Sequence, residues 1–202
     1  MSKKEFIKDV DSYVIEKLEK LGFTKKKELF YLPIDENTIG VIALPRATRY
    51  SKEAFSIAPV IGVINKQVEE IVHELTGQKR KGLTKSEFLG YLMPENSYRE
   101  WEFHKSIPIS FVARNMIKNI KKYGIPWMKK LSNMRYLAEE MEKDLAIPGG
   151  HYEALPIIWF LLGEKERAFN HINKVFEKVK GKNPQFEEEY KQFVDKLLQK
   201  FS

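Results

Sequence analysis

Phe6, Ile7, Val10, Val14, Leu18 and Leu21 recur with Lys and Glu between them. That spacing places them on one face of an amphipathic helix, and Gly22 predicts where it stops. The period then changes. Leu29 to Ile34 and Thr38 to Leu44 are rich in β-branched and aromatic residues, and Asp35-Glu36-Asn37 between them predicts a hairpin. A third strand is expected over Phe55 to Ile64, with Pro59 marking an edge position or a bulge. Asn65 predicts the cap of a helix from Lys66 to Leu75, which Gly77 closes. Phe88 to Met93 and Tyr98 to Phe103 predict a second hairpin around Pro94-Glu95-Asn96-Ser97.

Everything after Pro108 reads as helix. Ile109, Val112, Ala113, Met116, Ile117 and Ile120 form one apolar stripe that ends at Gly124. Further helices are expected over Met134 to Leu145, Tyr152 to Leu162, Glu164 to Val179 and Gln185 to Phe201. Strands segregated from helices predict an α+β protein: a small antiparallel sheet with flanking helices and a C-terminal helical bundle. The expected division is an α+β body over 1–147 and a helical extension packed on it over 148–202. Its hinge is expected within Asp144 to His151, at Pro148-Gly149-Gly150. The alternative is one domain over 1–202. Leu162-Gly163 followed by Ala168 resembles the turn inside tetratricopeptide repeats, but no second copy lies 34 residues earlier, so a repeat array is not expected.

Charge changes this picture most between Phe103 and Ala138. The segment carries Lys105, Arg114, Lys118, Lys121, Lys122, Lys129, Lys130 and Arg135, and no Asp or Glu. Elsewhere the signs mix, and the whole chain sums to +7. Clustered positive potential concentrates anionic partners. Arg114, Lys118, Lys121 and Lys122 share the helix face opposite the apolar stripe, where they can follow a phosphate backbone or meet an acidic protein surface. A solvated outer face is the plainer alternative. Lys79, Arg80 and Lys81 form a basic loop that joins this candidate partner-binding set if the fold brings it near.

Other chemistry is thin. The chain has no cysteine, which removes disulfides, thiolate metal sites and a cysteine nucleophile. No phosphate-binding glycine loop, His-Glu-x-x-His or nucleophile elbow is present, so no cofactor, metal or catalytic residue is expected. Alternation places Glu100, Glu102 and His104 on one face, opposite Trp101 and Phe103, and solvent-facing polar residues are the simpler reading there. His73, His104, His151 and His171 are scattered; His151 opens a helix after a glycine turn. Tyr91, Tyr98, Trp101 and Phe103 could stack single-stranded bases, although core packing accounts for at least half of them. No apolar run is long enough for a membrane span, and a cytoplasmic protein is expected.

The opening helix ending in Leu21-Gly22-Phe23, the short strands, and the block from Trp101-Glu102-Phe103 to Tyr123-Gly124-Ile125-Pro126-Trp127 resemble uncharacterised bacterial α+β proteins, some grouped with the immunity proteins of toxin systems. The resemblance implies a non-enzymatic protein that binds another protein, and a basic inhibitor would suit an acidic toxin. The leading expectation is therefore a cytosolic binding module that docks an acidic partner through its basic central helix. Nucleic-acid binding through the same stripe is the alternative.

Overall fold

In the computed structural model, residues 1–48, 51–77, 82–143 and 152–202 are described. The protein is α+β, with antiparallel strand pairing, flanking helices and a helical C-terminal region. It divides into two compact units, residues 1–64 with 85–130 and residues 65–84 with 131–202. The segment 144–151, which holds the expected hinge and His151, lies outside the described residues, as do Lys79, Arg80 and Lys81.

The first unit opens with α1 (Lys3–Glu19), capped by a reciprocal pair in which the Ser2 hydroxyl accepts from the Glu5 amide and the Glu5 carboxylate accepts from the Ser2 amide. Its buried side chains are Phe6, Val10, Val14 and Leu18, the expected apolar face. Strands β1 (Thr24–Lys26), β2 (Leu29–Pro33) and β3 (Thr38–Ala43) follow as an antiparallel meander, with Phe30 opposite Ile42 and Tyr31 opposite Val41. The Asp35 carboxylate accepts from the amides of Asn37 and Thr38 and so builds the predicted turn.

The expected third strand is two strands. β5 (Ala54–Ile57) and β6 (Val60–Asn65) flank Pro59, and they belong to different sheets. Proline has no N–H for a ladder, so the chain changes sheet where the bonding must lapse. One sheet runs β1-β2-β3-β6-β7, with β7 at Lys85–Phe88; the other runs β4-β5-β8, with β4 at Arg46–Ala47 and β8 at Trp101–His104. The expected second hairpin is absent, because β7 pairs with β6 and β8 pairs with β5. Leu89–Leu92 forms a tight 3-10 turn instead. The core on β5 and β8 is aromatic. Phe55 stacks on Phe103 with ring centroids 5.5 Å apart, and Phe6 of α1 meets Phe55 edge-on at 5.7 Å.

The helical run after Pro108 is longer than expected. α3 (Ile109–Asn119) passes through a wide π turn at Ile120–Gly124 into α4 (Ile125–Lys130). Within it the Ile125 amide donates to the Ile120 carbonyl, five residues back. Pro126 follows at once, and the wider turn accommodates a residue that cannot donate and whose ring crowds an ordinary α turn. Gly124 is therefore not a helix stop. A Cβ there would lie 3.3 Å from Ile61, so glycine lets the helix sit close on β6.

The second unit is helical. α2 (Lys66–Thr76) has the predicted caps: Asn65 Oδ1 accepts from the Val68 amide, and Gly77 ends the helix with a φ of 70°. The Asn65 amide donates to Thr84 Oγ1, whose hydroxyl donates to Glu69. α2 packs with α6 (Ala154–Leu161) and α8 (Pro184–Lys200); α5 (Met134–Glu142) and α7 (Lys165–Val179) also pack on α6. Residues 154–160 of α6 are all buried, as befits a helix apolar on every side. Among the described residues no helix is long and apolar enough to cross a membrane.

Because Phe55 is 2% exposed and touches rings on both sides, Phe55→Ala should cost about 3–5 kcal/mol of stability, read as a lowered urea midpoint.

Candidate functional site

The wall that holds α3 decides which of its residues reach solvent. Ala113, Met116 and Ile120 are completely buried, and α3 packs on α1 and β8. One polar bond fixes its rotation: the Trp101 indole N–H on β8 donates to Asn115 Oδ1 at 2.8 Å. Trp101 is 4% exposed, so its N–H would otherwise be buried without an acceptor. With that face committed, Arg114, Lys118, Lys121 and Lys122 are exposed.

Their surroundings differ. The Arg114 Nε donates to the Tyr13 hydroxyl of α1 at 3.3 Å, and the Tyr13 ring carries the Lys17 ammonium 4.9 Å from its centroid. Tyr13 thus links the α3 cation to one on α1. Glu16 is engaged by Lys17 at 3.0 Å and Lys20 at 2.5 Å, and those hydrogen bonds hold its carboxyl below the ordinary range. Lys122 lies over the Tyr123 ring at 4.9 Å. Hydrogen bonding with the Tyr123 side chain pushes the Lys122 ammonium up from the usual lysine value. Among the described residues none of the four candidates forms an ion pair with a carboxylate.

The acid-free stretch is less uniform in space than in sequence. Lys105 pairs with Glu53 at 3.1 Å and Arg135 with Glu164 at 2.6 Å. The positive charge left without a paired carboxylate includes the α3 helix and the wide turn after it. At its near end stands a residue that the sequence reading passed over. Phe111 is 75% exposed, the most exposed of the large apolar side chains among the described residues, and Ile107 just before the helix is 41% exposed. Phe111, Arg114 and Lys118 are spaced three and four residues apart, so they share a helix face. Phenylalanine and arginine are both enriched at the cores of protein interfaces.

The remaining candidates fall into ordinary roles. Trp101 and Phe103 are core residues, while Tyr91 and Tyr98 are exposed. The Tyr98 hydroxyl donates to Glu100 at 2.6 Å, and His104 Nδ1 accepts from the Ser106 amide at 3.1 Å. Glu102 is exposed on β8. Among the described residues no group of His, Asp and Glu is arranged to hold a metal ion.

The first unit is thus an α+β body that displays a cationic helix face with an aromatic at its end. Residues 14–130 match the family described as "Domain of unknown function (DUF4304)", and since the match covers more than half of the chain, the chain belongs to that family. The matched span contains the whole basic helix and ends at Lys130, where the first unit also ends. No curated protein and no solved structure matches the chain.

The anchor and the displayed face should separate in a stability measurement. Asn115→Leu strips the buried indole N–H of its acceptor and should cost about 1–3 kcal/mol, whereas Lys118→Glu on the exposed face should stay within about 0.5 kcal/mol of the parent in urea unfolding.

Proposed function

We propose that the protein is a non-enzymatic binding module whose α3 face docks an acidic protein surface. Phe111 is the apolar anchor, with Arg114, Lys118, Lys121 and Lys122 around it. The observation that carries this reading is the 75% exposure of Phe111 on the same helix face as Arg114 and Lys118. Burying a phenylalanine on association contributes about 1.5–3 kcal/mol. The cations choose the partner's sign and raise the encounter rate. Arg114 begins with an advantage over a free arginine, because Tyr13 already holds its guanidinium and less side-chain entropy is lost on docking.

An immunity-type inhibitor is the specific form that the resemblance to toxin-system proteins suggests. Nucleic-acid binding through the same cations is the competing reading, and it has less support. Trp101 and Phe103 are buried, which removes two of the four rings that base stacking would have used.

The test captures partners from the host's own lysate, with and without nuclease, on the tagged parent, Phe111→Ala and the quadruple variant R114E/K118E/K121E/K122E. The expected result is an acidic protein that survives nuclease, binds Phe111→Ala at least about tenfold more weakly, and is lost from the quadruple variant while thermal unfolding is unchanged. Undiminished capture by both variants would overturn the assignment. Recovery of nucleic acid, with a log–log salt slope of several units, would replace it with the competing reading.

A further inference from the structure

We propose that the second unit carries a small phosphate-binding recess between α5 and α7, independent of the docking face. The recess holds about 160 Å³ and is lined by Glu142 of α5 and by Arg167, Asn170, His171 and Lys174 of α7. The four α7 residues fall at offsets of three, four and seven, so the helix presents them along one face. His171 is only 3% exposed, which places an imidazole at the inner wall of a cavity rather than on open surface.

Arg167 is pre-set for this role. Its guanidinium stacks 3.7 Å from the centre of the Trp159 ring, and its Nη2 donates to Glu142 at 2.7 Å. A guanidinium has five N–H donors in a fixed fork. One is committed to Glu142, and the others have no protein acceptor among the described residues. The Asn170 amide and the Lys174 ammonium supply further donors of a kind that recognises phosphate oxygens. Arg167 and Lys174 against Glu142 leave the recess net positive. Glu142 sets the guanidinium's orientation rather than cancelling the site.

Size decides the ligand class. At about 30 Å³ per water, the space equals roughly five waters, enough for a tetrahedral oxyanion with its shell. It is well short of the roughly 300–1,000 Å³ of nucleotide- and drug-sized sites. The recess therefore takes a free phosphate or the phosphate end of a monoester.

The test titrates the full chain with inorganic phosphate and, separately, methyl phosphate, against sodium chloride of equal ionic strength. The readout is the NMR signals of the His171 ring, assigned with His171→Gln. A saturable shift with either phosphate and not with chloride is expected. Lys174→Glu and Asn170→Asp, both at exposed positions, should weaken it at least tenfold without changing thermal unfolding. Methyl phosphate binding as tightly as inorganic phosphate identifies a monoester group as the ligand; binding of inorganic phosphate alone identifies the free ion. No saturation beyond the chloride control, or equal affinity in both variants, overturns the site.

Discussion

The apolar face of the helical run from Ile109 to Lys130 is the constraint from which the rest of the first unit's surface follows. Ala113, Met116, Ile120 and Met128 are fully buried, and Gly124 is pressed against Ile61. A helix committed so thoroughly on one side has no rotational freedom left. Its Arg and Lys side chains must face outward, and so must Phe111, which lies off the apolar stripe by position and not by accident of packing. The π turn keeps this possible over the full length. By inserting one wide turn ahead of Pro126, it lets the run continue on the same wall, where an ordinary α turn would break against the proline.

Much of this was legible in the sequence where the signal is local. α1 and α2 were readable because their apolar spacing, caps and closing glycines agree with one another. The first hairpin was readable because Asp35 bonds its own backbone neighbours. The misreadings share a cause. Phe55 to Ile64 looks like one apolar strand, and only the pairing partners reveal two: β5 finds β8, while β6 lies between β3 and β7. In the same way, Phe88 and Trp101 sit either side of a turn-rich loop but bond to strands far back in the chain. Long-range pairing leaves no local trace, and a run of apolar residues does not record which sheet it joins.

The candidate sites divide along the same line. That Arg114, Lys118, Lys121 and Lys122 face away from the apolar stripe follows from helical geometry alone. That Lys105 and Arg135 are spoken for does not, because Glu53 and Glu164 are distant in sequence. Phe111 carried a readable signal that was missed: it breaks the periodicity set by Ile109, Val112, Ala113 and Met116. An apolar residue on the polar face is informative because burial within the chain cannot explain it. In sequence, His171 looks like one of four scattered histidines. Its spacing from Arg167, Asn170 and Lys174 was visible, but the cavity they line depends on Glu142 across another helix.

Net charge is therefore a poor guide to which cations the fold leaves without an internal partner. The surplus of +7 is spread over many lysines, and several are answered internally, as Lys17 and Lys20 are by Glu16 and Lys200 is by Glu74. What distinguishes the α3 face is geometry: its cations stand on a helix whose other side is buried, with no carboxylate paired to them among the described residues. What distinguishes the α7 recess is the reverse, a carboxylate that is present and used to aim a guanidinium. An open, aromatic, multiply cationic face matches an extended macromolecular surface, where affinity comes from buried area around an anchor. A small recess around one pre-set guanidinium matches a compact ion, where affinity comes from directed hydrogen bonds. Packing, and not composition, decides which of the chain's positive residues are left for a partner.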